Sequence, residues 1–230
     1  MTFRRLIAPA ALFAASAIAL AGCASGAPGA AASADGRLQV VASTDVYGQI
    51  AEEIGGDLVD VTSIVTSAAQ DPHSFEVTAK DQLTVSKADV IIENGGGYDA
   101  FVDALIDASG TDAPVITAAT FSDAWPDDED EAEVDDHGHT HVEGFNEHVW
   151  YDPHTIELVA GAIADELASL QPDGADTFQA NAEAFTSEIA GLESSLAEIE
   201  ASHAGQKVFV TEPVPVYLVV AMLYCLVNYA

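Results

Sequence analysis

Residues 135–155 read DDHGHTHVEGFNEHVWYDPHT and hold five of the chain's seven histidines: His137, His139, His141, His148 and His154. An acidic run over 127–136 leads into them. Neutral imidazole is the commonest metal-binding side chain, and carboxylates beside it supply harder oxygen donors. A sixth histidine, His73, lies in a second turn-like cluster, Asp71-Pro72-His73-Ser74-Phe75-Glu76. The expectation is that the fold brings His73 and His148 to one metal ion. For His137, His139 and His141 two readings stand, a solvated loop and an auxiliary metal-collecting loop that pays entropy to order around an ion. His154 follows Pro153 and is expected in the first turn of a helix. His203 is expected at a helix C-terminus, where the dipole favours it.

These residues need a scaffold, and the pattern from Arg37 onward supplies one. Short apolar segments at 38–42, 59–65, 89–93 and 114–117 read as strands. They alternate with helical segments at 46–54, 79–87 and 98–108, the second opened by Thr78 with Asp81 three residues on. That alternation argues for a parallel sheet of βαβ units, with sites in the loops beyond the strands' C-terminal ends. His73 falls in such a loop. Gly95, Gly97 and Ala100 fit G-x-G-x-x-A, yet they follow the third strand with no basic residue near, which favours a tight turn over a dinucleotide site. Residues 123–146 read as a mobile acidic, His-rich loop. Asp152 as cap and Pro153 as first residue start a helix to about Leu170. Phe178, Ala182, Phe185, Ile189, Leu192, Leu196 and Ile199 then mark one apolar stripe on a long helix. Lys207 to Thr211 reads as a strand. The apolar run over 214–227 is too short to cross a bilayer and reads as an element meant to be covered by more protein.

Composition bounds the function classes. The chain has 230 residues, with 38 Asp and Glu against 6 Lys and Arg, a formal net charge of −32. Such a field repels nucleic acid and attracts cations. Arg4 and Arg5, an apolar run over 6–21 and Leu20-Ala21-Gly22-Cys23 have secretory-signal architecture. The last four closely resemble a bacterial lipobox, which implies lipidation at Cys23. Residues 24–35, rich in Ala, Ser and Gly, read as a flexible tether. Cys225 is the only other cysteine.

Asp71-Pro72-His73-Ser74-Phe75-Glu76, His148-Val149-Trp150-Tyr151-Asp152-Pro153 and the long helix together resemble the substrate-binding lipoproteins of zinc and manganese ABC importers, sometimes described as adhesin-like. The resemblance runs from Leu38 to about Leu218. It implies an α/β, two-lobe periplasmic-binding-protein-like fold, parallel sheets joined by a long helix, with one divalent ion held between the lobes. It also implies an extracytoplasmic monomer, lipid-anchored to the membrane at Cys23, that hands its ion to a membrane ABC permease. The implied organisation is a signal peptide at 1–22, a tether at 23–36, an N-terminal lobe at 37–171, a linking helix at 172–204, and the start of a largely missing second lobe at 205–230. By the family pattern His73 and His148 are the first and second ligands, and Glu212 falls at the third. The family's acidic fourth ligand would lie beyond Ala230. Glu147 stands where the family usually has proline, a tolerable departure.

Two imidazoles and a carboxylate suit zinc, manganese or iron. Manganese prefers more oxygen ligands, so zinc is favoured. The expected mechanism is capture without chemistry. The same ligands with an open position also describe a zinc hydrolase, although no H-E-x-x-H helix is present. A surface adhesin of the same fold is the other alternative.

Overall fold

The computed structural model describes residues 36–126, 132–134, 140–142, 144–222 and 225–226. The expected signal peptide, Cys23 and nearly all of the tether lie outside the described residues, as do His137 and His139. Among the described residues no helix is long and apolar enough to cross a membrane.

The first half winds as the alternation requires: β1 (Leu38–Thr44), α1 (Asp45–Gly55), β2 (Val59–Val65), α2 (Ala79–Val85), β3 (Val90–Glu93), α3 (Phe101–Ser109) and β4 (Val115–Thr117). The four strands form one parallel sheet in the order β2-β1-β3-β4. Successive side chains of a strand point to opposite faces, so each strand feeds two cores. Val40, Ala42, Val90 and Ile92 meet α1, α4 (Pro153–Leu170) and α5 (Ala175–His203) through Tyr47, Ile163, Leu167 and Phe178. Val41 and Ile91 meet α2 and α3 through Val85, Phe101, Val102 and Leu105 on the other face. Helices cover both faces, the usual condition for an all-parallel sheet.

Local chemistry sets the boundaries. Thr78 Oγ1 accepts from Asp81 N, while the Asp81 carboxylate accepts from Thr78 N at 2.9 Å, the reciprocal cap read from the sequence. The helix expected from Tyr98 begins only at Phe101. The Asp99 carboxylate accepts from the backbone N–H groups of Asn94 and Gly95 at 2.7 and 2.8 Å, so residues 95–100 are spent on a turn. Gly95, Gly96 and Gly97 all have positive φ there, and a Cβ on Gly95 would strike the Thr117 side chain. The glycines serve the turn.

Four further expectations change. The expected loop over 123–146 contains an antiparallel pair, β5 (Ala132–Val134) and β6 (Thr140–Val142), with Glu133 opposite His141; two three-residue strands are too short for alternation to signal. Asp152 flanks α4, but its carboxylate accepts from the Thr155 hydroxyl at 2.6 Å and caps no backbone N–H. α5 has 29 residues, yet only Phe178, Ala182 and Leu196 are buried, while Leu192 and Ile199 are exposed. Its stripe is packed mainly where α1 and α4 meet it. Beyond it, β7 spans only Lys207–Val208 and pairs in parallel with the equally short β8 (Cys225–Leu226), while Pro213 and Pro215 precede α6 (Val216–Ala221).

Candidate metal site

The sheet order places a switch between β1 and β3. The chain goes from β1 to β2 on one side, then crosses β1 to lay β3 on the other. Ligands in such sheets bind beyond the strands' C-terminal ends at this crevice. His73 reaches it from the loop after β2, in a single 3-10 turn over Pro72–Ser74. Asp71 shapes that turn, its carboxylate accepting from the His73 N–H at 3.0 Å. His148 reaches it from the far side, immediately before the 3-10 turn Val149–Tyr151 that leads into α4.

Asn94, at the end of β3, ties the two sides together. Wholly buried, it accepts from the Tyr47 hydroxyl and donates through Nδ2 to the Glu147 carbonyl at 2.8 Å. The backbone beside His148 is therefore fastened to the central sheet.

His73, Glu147 and His148 carry donor atoms within 4.8 Å of one another. Glu147 Oε1 lies 3.6 Å from His73 Nε2 and 3.8 Å from His148 Nδ1. The Asn146 side chain fixes the tautomer of His148. Its Nδ2 donates to the Pro213 carbonyl at 3.1 Å, which orients the amide. Its Oδ1 then faces His148 Nδ1 at 2.7 Å and only accepts. Nδ1 carries the proton and Nε2 keeps its lone pair, the arrangement by which outer partners prepare a metal-ligating histidine.

Burial holds the His148 pKa below its ordinary 6.5; the Glu147 charge pulls it up, His73 pushes it down, and Glu212 pulls it up weakly. Burial disfavours imidazolium. A neutral ring is the form that binds metal. Aromatic packing limits how the rings move: Tyr98 meets His73 edge-on at 5.1 Å and stacks at a tilt on Trp150 at 4.6 Å, and Trp150 meets His148 at 5.1 Å.

The sequence-derived residues divide as follows. His73 and His148 come together. Glu212 is exposed and outside the three-residue group, though its charge acts on His148. Its neighbour Pro213 is bonded to Asn146, and the Tyr217 hydroxyl donates to the Asn146 carbonyl at 2.7 Å. His141 lies on β6. His154 is exposed in the first turn of α4, and His203 ends α5. Glu147, which the sequence reads only as a tolerable replacement for proline, joins the two histidines; its one sequence signal is a carboxylate directly before a candidate ligand histidine.

A family model described as "Zinc-uptake complex component A periplasmic" matches residues 40–222. The chain belongs to this family. It is 32% identical over 178 residues to the manganese-binding lipoprotein MntA of Halalkalibacterium halodurans, covering 77% of this chain and 54% of that protein. It is 29% identical over 181 residues to the zinc-binding lipoprotein AdcA of Streptococcus pneumoniae, covering 78% of this chain and 36% of that one. The chain thus spans about half the length of MntA and less of AdcA. Among solved structures, a zinc-bound deletion mutant of ZnuA superposes with a TM-score of 0.67 at 25% identity, over 82% of this chain and 68% of that one. The metal-dependent lipoprotein YcdH of Bacillus subtilis shares the fold with a TM-score of 0.68 at 18% identity, over 82% and 65% of the two chains. The expected α/β class holds.

Proposed function

We propose that this protein captures a divalent metal ion outside the cytoplasm for delivery to an ABC import permease. The observation that carries the reading is the convergence of His73 and neutral, pre-oriented His148 on the switch-point crevice of a zinc-uptake family fold. His73 and His148 are the first two ligands. Glu212, the third ligand by the family pattern, lies exposed on the segment that Asn146 holds through Pro213, and its charge acts on His148. Zinc is favoured over manganese, because imidazole nitrogens dominate this set and manganese prefers oxygen. The related proteins are named for zinc and for manganese, which supports a divalent ion and leaves the choice to the ligands.

The chain's part is binding without bond-making. Water on the ion is exchanged for imidazole and carboxylate, and the acidic surface raises the local cation concentration. Lipid attachment at Cys23 would keep the protein at the membrane, as the lipoprotein names of its relatives suggest. Those names give no support to a hydrolase.

The test is chelator-competition titration of the purified chain with zinc and manganese, with His148→Ala beside it. One-to-one binding, tighter for zinc and lost in the variant, is expected. Binding of both metals that the substitution leaves unchanged would overturn the reading.

A further inference from the structure

We propose that Glu147 is a direct ligand of the captured ion, so that the loops at the sheet's C-terminal edge carry a three-donor site of their own. The inference rests on the metal-capture reading and deepens it: His73 Nε2, a His148 ring nitrogen and the Glu147 carboxylate form the inner set, and Glu212 is an outer, auxiliary contact.

Spacing is the first argument. Zinc–nitrogen and zinc–oxygen bonds of roughly 2.0–2.2 Å in a tetrahedral site put neighbouring donors roughly 3.3 Å apart. Glu147 Oε1 is already 3.6 Å from His73 Nε2. All three donors fall within 4.8 Å, so an ion can draw them in by side-chain rotation. Oε1 also lies 3.8 Å from His148 Nδ1, so the same carboxylate stands beside both rings.

Anchoring is the second. The Glu147 carbonyl accepts from Asn94 Nδ2 at 2.8 Å and from Val149 N at 2.8 Å. Its backbone is held by a fully buried residue at the end of β3, so only side-chain rotation remains to be ordered on binding. Glu212, by contrast, is exposed.

Charge is the third. A doubly charged ion held by two neutral imidazoles lacks a compensating anion in a partly dry crevice. The Glu147 side chain is 22% exposed and faces both rings, which supplies that anion where the desolvation cost is greatest.

The experiment compares the full chain with Glu147→Gln, Glu212→Gln and His148→Ala by zinc titration against a chelator, together with the visible spectrum of the cobalt(II)-loaded protein. Glutamine keeps the size and the backbone bonds of Glu147, and circular dichroism verifies folding. Expected are a fall in zinc affinity of at least about 100-fold for Glu147→Gln, the upper end of what losing an outer partner costs, a changed cobalt spectrum, and a smaller change for Glu212→Gln. Zinc affinity within about threefold of the parent and an unaltered cobalt spectrum in Glu147→Gln, with binding lost in His148→Ala, would overturn the inference while leaving metal capture intact. Binding unchanged in all three variants would overturn both.

Discussion

His148 Nδ1 and Asn146 Oδ1 lie 2.7 Å apart, and the other end of the same amide donates to the Pro213 carbonyl. One side chain therefore sets the tautomer of a metal-facing imidazole and holds the segment that carries Glu212. Asn146→Ala should remove both constraints. The expected outcome is a loss of zinc affinity of roughly 10–100-fold with one-to-one stoichiometry retained. Asn146→Asp, which keeps an acceptor at Nδ1, should stay much closer to the parent. Isothermal titration of the two variants checks this.

Protons and metal compete for the same nitrogens. Burial lowers the His148 pKa from its ordinary 6.5, which favours the neutral ring near pH 7. Zinc affinity should be nearly flat above about pH 6.5 and fall as the pH drops below it, with protons taken up as metal leaves. Chelator competition between pH 5 and 8 reads this directly. A steep fall between pH 8 and 7 would show that His148 is not kept neutral.

Glu93 closes β3 beside a cavity of about 200 Å³ that also touches Asp99, Asp103, Thr117 and Trp125. Burial first, then the charges of Asp99 and Asp103, raise its pKa from 4.5 to about 8, against the hydrogen bond from Thr117 that lowers it. The folded state thus binds this proton more tightly than the unfolded one. The stability it contributes is complete below about pH 4.5 and is lost as pH rises to about 8. Glu93→Gln should remove that loss, raising stability at pH 8 by on the order of a few kcal/mol while changing little at pH 4.5. Urea unfolding at the two pH values checks the sign.

Tyr98 supports both histidine rings. Burial, then the charges of Asp99 and other nearby acids, push its pKa to about 12, so its hydroxyl is no anionic ligand near neutrality. Tyr98→Phe should leave zinc affinity nearly unchanged. Tyr98→Ala removes ring contacts worth about 0.5–1.5 kcal/mol each and should weaken binding about tenfold or more. Equal losses in both variants would assign the effect to the hydroxyl.

The sequence by itself determined the order of strands and helices from β1 to β4, the parallel sheet, the Thr78–Asp81 cap and the presence of the long helix α5. These follow from hydrophobic period and local side-chain-to-backbone bonding, which act over a few residues. It also marked His73 and His148, through the Asp71-Pro72-His73 and His148-Val149-Trp150-Tyr151-Asp152-Pro153 motifs that resemble the family's. The tertiary structure alone decided what surrounds them. Asn94 and Glu147 are 53 residues apart, and Asn146 and Pro213 are 67 apart. No local pattern encodes such pairs; they arise when β3 is laid beside β1 and α4 brings its N-terminal turn back over the sheet edge. The same packing left Leu192 and Ile199 exposed on a helix whose stripe looked uniform, since periodicity records which residues share a face and packing decides which of them are covered. Glu147 belongs to this second class: an unremarkable carboxylate in the chain, which only folding places beside two imidazoles.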